Sequence, residues 1–200
     1  MDLSDIKAVL LDMDGTLVES HAAVERAWRT WSAEHGVDPD AVLAVAHGAP
    51  AETTVRRFLP AAETGIAAAR QLALQYDDLS DVTAGPGAAE LLGTLARRGL
   101  PWAVVTSADI RLANARLAAA GIVPPVLVTV EDIAAGKPAP DGYLKAAAIL
   151  GVPPATCLVV EDAEVGVRAG RAAGARTAGL RGLEADLTVD TLADLARLLG

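Results

Sequence analysis

The sequence of 200 residues predicts an α/β fold, a doubly wound parallel sheet of Rossmann-like type. Two observations carry this prediction. After residue 85, short apolar runs alternate with helical patterns, and strands joined through helices run parallel in one sheet. Each apolar run also stops abruptly at polar residues, which is typical of buried strands whose carboxyl ends open into a crevice.

The first strand is the apolar run Ala8-Val9-Leu10-Leu11, and residues 17–82 then contain no convincing strand. That region predicts helices at about 20–35, 38–46, 51–59 and 61–77. Residues 77–87 have the composition of a turn or hinge. We therefore predict a helical cap domain of residues 17–82, inserted into a core that comprises residues 1–16 and 83–200.

Helices and strands alternate through the rest of the predicted core. In order, they are a helix from Pro86 to about Arg98, the strand Trp102-Ala103-Val104-Val105, a helix of about 108–120, a strand over 126–130, a helix near 140–150, the strand Cys157-Leu158-Val159-Val160, weaker strands at 176–178 and 187–189, and a helix of about 191–199. This repeated order predicts that the strands are neighbours with their carboxyl ends at one edge.

Two carboxylates, Asp12 and Asp14, follow the first strand directly. Side chains two residues apart in an extended chain point the same way, so both can face one reacting group. The two charges repel each other unless a cation lies between them or one group is protonated. The pair therefore predicts either a metal site or an acid–base site at the end of this strand.

Three later strands also end in polar chemistry. The pair Thr106-Ser107 offers hydroxyls and amides to phosphate oxygens, Lys137 offers a single ammonium group before a proline, and Glu161-Asp162 is a second acidic pair. Because parallel strands share one carboxyl edge, these groups are expected to meet Asp12 and Asp14 there. The combination predicts a site for a phosphate and Mg²⁺.

These four groups, in this order, resemble the four motifs of the haloacid dehalogenase superfamily, and the resemblance covers essentially the whole chain. Residues 23–28, the pair His47-Gly48 and residues 101–107 resemble bacterial sugar phosphatases and the group of 2-deoxyglucose-6-phosphate and glycerol-phosphate phosphatases. The resemblance implies a core with an inserted helical cap. It also implies Mg²⁺-dependent hydrolysis of small sugar or polyol phosphates through an aspartyl-phosphate intermediate.

The resemblance implies a role for each catalytic motif residue. Asp12 is the expected nucleophile, and Asp14 the expected general acid for the leaving alcohol and base for water. Thr106 is expected to bind phosphate through its hydroxyl and Ser107 through its amide. Lys137 is expected to bridge the nucleophile and the phosphate.

The resemblance also implies a metal site and further phosphate contacts. The expected Mg²⁺ ligands are the Asp12 carboxylate, the Asp14 backbone carbonyl and Asp162, with Glu161 binding directly or through water. Gly15 and Ala108 are further candidates for substrate binding. Sugar phosphatases often have glycine at the position of Ala108, so its methyl group restricts the phosphate loop.

The predicted cap supplies the candidates for recognition of the leaving group. Glu19 can accept hydrogen bonds from sugar hydroxyls, and His47 and Arg56 are candidates to reach the substrate from the cap. Trp28 and Trp31, three residues apart, are expected to form the core of the cap instead of a stacking surface for a sugar.

Other activities compete with a sugar phosphatase. A phosphoglucomutase-type isomerase and a phosphoglycolate phosphatase would use the same motifs. A phosphonate hydrolase would require a cap lysine, and residues 17–82 contain none. Asp14 argues against a dehalogenase, which needs no acid for its leaving group. A purely binding or regulatory protein would have no use for the four motifs.

Composition narrows the choice of partners. The formal net charge of −9 argues against nucleic acid or an anionic membrane as a standing partner. The first residues lack the pattern of a signal peptide, and no apolar run approaches the ~18 residues of a membrane span. The single cysteine, Cys157, is expected to be a buried, inert thiol. We expect a cytoplasmic monomer that binds a small phosphorylated sugar or polyol.

Overall fold

The computed structural model describes residues 3–46 and 50–200. Its strands are β1 (Ala8–Leu11), β2 (Val18–Glu19), β3 (Thr83–Ala84), β4 (Trp102–Val105), β5 (Leu127–Val128), β6 (Cys157–Glu161), β7 (Arg176–Leu180) and β8 (Leu187–Val189). Its helices are α1 (His21–His35), α2 (Pro39–Ala46), α3 (Ala51–Val55), α4 (Ala61–Asp77), α5 (Ala88–Arg98), α6 (Ile110–Ala119), α7 (Asp141–Ile149), α8 (Glu164–Ala172) and α9 (Leu192–Leu199).

Six strands form one sheet in the order β5-β4-β1-β6-β7-β8, and every neighbouring pair is parallel. The chain runs outward from β1 through β4 to β5 and then returns to place β6 on the other side of β1. The strand order therefore reverses beside β1, and ligands bind at such a reversal in open α/β sheets. The predicted fold class is confirmed.

Helices cover both faces of this sheet, as the continuous apolar strands require. Alternate residues of β1 divide between the faces: Val9 and Leu11 pack with residues of α5, α6 and α9, whereas Ala8 and Leu10 pack with residues of α7 and α8. All four are fully buried. Burial on both faces explains why these strands have no alternation of apolar and polar residues.

The first four helices, which we call the cap helices, form a hydrophobic cluster of their own. Trp31 is fully buried there, and its indole N–H donates to the Ala67 carbonyl oxygen at 2.9 Å. Trp28 is 2% exposed and meets the Trp31 ring edge-on. Both tryptophans thus belong to the core of this helical layer. The predicted boundaries between cap and core domains stay a prediction.

Several predicted elements need correction. Residues 17–82 do contain a strand, because β2 pairs antiparallel with β3 where the chain enters and leaves the cap helices. Two residues are too few to produce a sequence pattern. The third helix ends at Val55 instead of residue 59, and β5 is two residues long. Thr129 and Asp132 form a capping box that turns the chain into a short 3-10 helix after β5.

Helix α8 is absent from the sequence prediction. Its glycines, Gly166 and Gly170, lower the helix propensity of the segment. They are required by packing, because a Cβ on Gly170 would lie 2.9 Å from Val159 of β6. Within the described parts of the chain, no helix combines the length and the apolarity that a membrane span needs.

Candidate active site

The carboxyl ends of four adjacent strands bring the predicted motif residues together. Asp12 follows β1, Thr106 follows β4, and Glu161 is the last residue of β6. Lys137 arrives from the loop after β5 and forms ion pairs with both Asp12 and Glu161; its Nζ lies 2.6 Å from Glu161 Oε1. The expected meeting of the strand ends is therefore what the structure shows.

Lys137 is a buried positive charge between Asp12 and Glu161. Its side chain is 6% exposed, and those of Asp12 and Glu161 are 9% and 1% exposed. Burial alone would lower the pKa of Lys137, but the charges of Asp12 and Glu161 raise that pKa well above its usual value. Burial, followed by repulsion from Glu161, raises the pKa of Asp12 despite the lysine. The negative charge of Asp12 and Glu161 thus exceeds the positive charge of Lys137, which pairs with both.

Three carboxylates form a group that could hold a metal ion. Asp12, Glu161 and Asp162 each offer one oxygen, and these oxygens lie within 4.8 Å of one another. A divalent cation with a preference for oxygen ligands fits this set and would offset its excess of negative charge. Glu161 is already engaged, since the Tyr143 hydroxyl donates to the same oxygen that pairs with Lys137.

Asp14 is held on both of its carboxylate oxygens. The Ser20 hydroxyl donates to Oδ1 at 2.6 Å, and Arg116 Nη1 lies 2.8 Å from Oδ2. The Asp14 side chain is 27% exposed and borders the same cavity as Asp12. The two carboxylates can therefore act on one ligand, as their spacing predicts.

Arg116 was missed by the sequence analysis, although the sequence contains a signal for it. It lies on the buried face of α6, next to Leu112, Ala113 and Leu117. A charged side chain within an apolar stripe is informative, because arginine is almost never fully buried without a partner. The sequence alone could not identify Asp14 as that partner.

The loop after β4 carries a buried hydroxyl and borders the cavity. Thr106 is 3% exposed, and its Oγ1 accepts a hydrogen bond from the Ala108 amide at 3.1 Å. Ser107 and Ala108 line the cavity. Ala108 does not adopt a positive φ. Its methyl group therefore adds no backbone strain at this position, where sugar phosphatases often have glycine.

A cavity of about 390 Å³ separates the cap helices from the edge of the sheet. Its sheet side carries Asp12, Asp14, Thr106, Ser107 and Asp162. Its cap side is largely apolar, with Val24, Trp28, Ala68 and Leu72. A ligand in this cavity would meet charged and polar groups at one end and apolar side chains at the other.

Glu19 lies outside the lining of this cavity. One of its carboxylate oxygens contacts His21 Nδ1 at 2.6 Å, and the other accepts from Arg181 at 2.8 Å. Burial would raise the pKa of Glu19, but its hydrogen bonds from His21 lower it overall.

His21 Nε2 lies 3.4 Å from Asp162, and this contact raises the pKa of His21. The sequence analysis did not predict that His21 lies beside Asp162.

Arg56, a second cap candidate, does not line the cavity. Arg56 has a side chain that is 64% exposed, and it pairs with Glu52 on the same helical segment. Glu52 borders the cavity, whereas Arg56 does not. His47 lies outside the described residues, so its predicted contact with substrate stays a prediction.

Gly15 is required by close packing against Asp162 and His21. It adopts φ +83°, and a Cβ there would lie 2.0 Å from Asp162 Oδ2 and 2.7 Å from His21 Cε1. We expect Gly15→Ala to lower the free energy of unfolding by at least ~1–2 kcal/mol, the cost of left-handed backbone for alanine. Thermal unfolding would measure this loss. Gly36→Ala is the matched control, since Gly36 has φ +65° and nothing within 4 Å of an added Cβ. An equal loss in both variants would contradict a special role for the space at Gly15.

Comparison with known proteins agrees with this geometry. The family model of haloacid dehalogenase-like hydrolases matches residues 6–174. The chain belongs to this family. Hexitol phosphatase A of Escherichia coli is 46% identical to this hydrolase over 172 residues, which are 84% of this chain and 80% of the relative.

Two further comparisons support the assignment. The 2-deoxyglucose-6-phosphate phosphatase 1 of Saccharomyces cerevisiae is 36% identical over 195 residues, 86% of this chain and 78% of the relative. The crystal structure of a hydrolase from Pseudomonas syringae superposes with a TM-score of 0.87 at 25% identity and covers 96% of each chain. The predicted family is confirmed, and so is the predicted enzyme class of phosphoric monoester hydrolases.

Proposed function

We propose that this hydrolase removes phosphate from small sugar or polyol phosphates, with Mg²⁺ as cofactor and an aspartyl-phosphate as intermediate. The observation that carries the proposal is the pair Asp12 and Asp14 on one cavity wall, with Lys137 against the first carboxylate. The 46% identity to a hexitol phosphatase supports the substrate class.

The first step transfers the phosphoryl group to Asp12. A carboxylate oxygen of Asp12 forms a bond to phosphorus while the bond between phosphorus and the ester oxygen breaks. Asp14 donates its proton to that ester oxygen, so the alcohol leaves as a neutral molecule and Asp14 becomes a carboxylate. Thr106, through its hydroxyl, and Ser107, through its amide, are proposed to hold the phosphate oxygens.

The second step releases phosphate and restores the enzyme. Asp14 takes a proton from a water molecule, whose oxygen forms a bond to phosphorus. The bond between phosphorus and Asp12 breaks, and the electron pair returns to the carboxylate. Lys137 holds a positive charge beside the nucleophile, because the charges of Asp12 and Glu161 raise its pKa and so favour its ammonium form.

The carboxylate cluster is proposed to hold Mg²⁺ through Asp12 and Asp162, with the Asp14 backbone carbonyl as a further ligand. When bound, Mg²⁺ would supply positive charge that offsets the repulsion between the phosphate and these carboxylates. Glu161 is proposed to act through water or through Lys137, since one of its oxygens already pairs with Lys137 and Tyr143.

The cavity suits a small leaving group. Its volume of about 390 Å³ lies at the lower end of the ~300–1,000 Å³ typical of small-molecule sites. The apolar cap side can pack against the carbon chain of a sugar or polyol, while the charged end holds the phosphate. We further propose that the protein works as a monomer in the cytoplasm.

The test of this function is the release of inorganic phosphate with Mg²⁺ from a panel of phosphate esters. The panel contains hexitol, hexose, pentose, glycerol and glycolate phosphates, together with β-glucose 1-phosphate and its bisphosphate activator. Release concentrated on sugar or polyol esters would support the proposal. Isomerisation of β-glucose 1-phosphate without release would make the protein a mutase, and preference for the glycolate ester would make it a phosphoglycolate phosphatase.

The metal site has a test that does not depend on turnover. We expect Mg²⁺ at one hundred times its dissociation constant to stabilise the fold by about 2.7 kcal/mol, and so to raise the unfolding temperature by roughly 5–10 °C. Asp162→Asn should lose most of that shift, because it removes one of the three clustered carboxylates. Asp109→Asn is the control, since Asp109 lines the cavity outside the cluster. An undiminished shift in Asp162→Asn would remove Asp162 from the ligand set.

A further inference from the structure

Arg116 is a charged residue whose side chain is almost completely buried. Its side chain is 2% exposed, yet it borders the cavity. Burying a guanidinium costs several kcal/mol, and replacing such an ion pair by apolar residues of similar size is often neutral or stabilising. Fold stability therefore gives little reason to place an arginine there.

Arg116 contacts Asp14, which follows β1, and Gln75 of the cap helix α4. Its Nη1 lies 2.8 Å from Asp14 Oδ2, and its Nη2 donates to Gln75 Oε1 at 2.7 Å. Its Nε has no hydrogen-bond partner among the described residues. Both terminal nitrogens are thus committed to specific acceptors, which orients the guanidinium plane.

The orientation of Gln75 is fixed in turn by Gln71, one helical turn earlier on α4. Gln75 Nε2 donates to Gln71 Oε1 at 2.6 Å, which leaves the Gln75 carbonyl oxygen facing Arg116. Gln71 is fully buried. A continuous chain of hydrogen bonds and an ion pair therefore runs from the cap helix through Arg116 to Asp14.

We propose that Arg116 is a positioning residue for Asp14 and that Gln75 holds Arg116 in place. A guanidinium can only donate hydrogen bonds, so Asp14 Oδ2 must act as an acceptor in every state of the reaction. The transferred proton must then reside on Oδ1. Among the residues that the structure describes, the hydrogen-bond partner of Oδ1 is the Ser20 hydroxyl, which can donate or accept. Arg116 thus determines which oxygen of Asp14 exchanges the proton with the substrate.

The inference rests on the proposed function. Two substrates with different leaving groups allow the role of Arg116 to be tested separately from that function. An alkyl phosphate needs a proton on its leaving alcohol, whereas 4-nitrophenyl phosphate releases an anion that is stable without one. Arg116→Met keeps a side chain of similar length without the charge. We expect single-turnover release of the alcohol from sorbitol 6-phosphate to slow by about 10²-fold, with KM changed by less than about threefold.

Under the same conditions, the first burst of nitrophenolate should slow by less than about tenfold, because this step does not need the proton that Asp14 donates. Arg116→Lys should restore part of the alkyl rate, and Gln75→Leu should give a smaller loss with the same dependence on the leaving group. Arg70→Ala is the control on α4, since Arg70 is exposed and pairs with Glu34. Its rates should match those of the unmodified protein.

Equal slowing on both esters would overturn the inference, as would a raised KM with unchanged kcat, which would make Arg116 a binding residue. If Arg116→Met shows no cooperative thermal unfolding, the same comparison is made on Arg116→Lys and Gln75→Leu. Failure of the unmodified protein to release phosphate from any alkyl ester would instead overturn the proposed function.

Discussion

Asp12→Asn is expected to abolish phosphate release while the protein stays folded. An amide is a far poorer nucleophile than a carboxylate, so the aspartyl-phosphate cannot form. Loss of a nucleophile costs on the order of 10⁶-fold in kcat. The measurement is phosphate release from the best ester of the panel, together with a search for phosphate bound covalently to the protein. The variant should show none.

The structure predicts that this substitution is tolerated by the fold. The pKa of Asp12 is raised by burial and by Glu161, so its negative charge is held in an unfavourable environment. Asparagine has nearly the same shape and removes that charge, although it also removes the ion pair with Lys137. We expect the unfolding temperature to change by only a few degrees.

Asp109→Asn is the matched control for this experiment. Asp109 also lines the cavity, and it caps α6 by accepting a hydrogen bond from the Leu112 amide at 2.8 Å. Asparagine caps helices about as well as aspartate. This variant should keep activity within about tenfold of the unmodified protein. Substantial turnover by Asp12→Asn would show that another group attacks phosphorus.

The sheet and its polar edge could be predicted because they depend on local patterns and one topological rule. Buried parallel strands are continuous apolar runs, and their carboxyl ends must share an edge. Asp12, Thr106, Lys137 and Glu161 each follow or end such a run, so their order in the sequence was enough to bring them together. The two-residue strands β2 and β3 carried no comparable pattern.

The partners of these residues could not be predicted in the same way. Arg116, Gln75 and Tyr143 come from helices, and the residue that a helical side chain reaches depends on how the helix packs in three dimensions. Tyr143 shows the difficulty: its hydroxyl donates to Glu161, which is 18 positions away in sequence. This contact engages one oxygen of Glu161, and nothing in the acidic pair of the sequence indicated it.

The cap candidates show a second limit. Arg56 was predicted from its place on a helix, but its exposed side chain pairs with Glu52 four residues earlier. A local ion pair of this kind is as consistent with the sequence as a contact with substrate. The strand ends had a topological rule to constrain them, whereas the cap side chains had none.

Lys137→Met is expected to impair both stability and catalysis. The substitution keeps most of the side-chain volume but removes the positive charge between Asp12 and Glu161. Leaving buried charges without their partner costs about 3–5 kcal/mol. For a protein of this size, that cost corresponds to a fall of roughly 10 °C in unfolding temperature.

The catalytic loss has the same electrostatic origin. Lys137 is the buried positive charge in contact with Asp12, the proposed nucleophile. Removing a group that stabilises charge in a reaction typically costs about 10²–10³-fold in kcat. Lys145→Met is the control, because Lys145 is 39% exposed and pairs with Asp132 at 2.9 Å on the surface. A surface pair contributes only about 0–1 kcal/mol, so this variant should unfold near the temperature of the unmodified protein.

The same two variants can also be compared in the presence of Mg²⁺. If the carboxylates that lose Lys137 are those that hold the metal, Mg²⁺ should recover part of the lost stability in Lys137→Met by supplying positive charge to the same group. Its thermal shift should then be larger in that variant than in Lys145→Met. An unchanged unfolding temperature in Lys137→Met without Mg²⁺ would contradict the view that Lys137 neutralises the buried carboxylates.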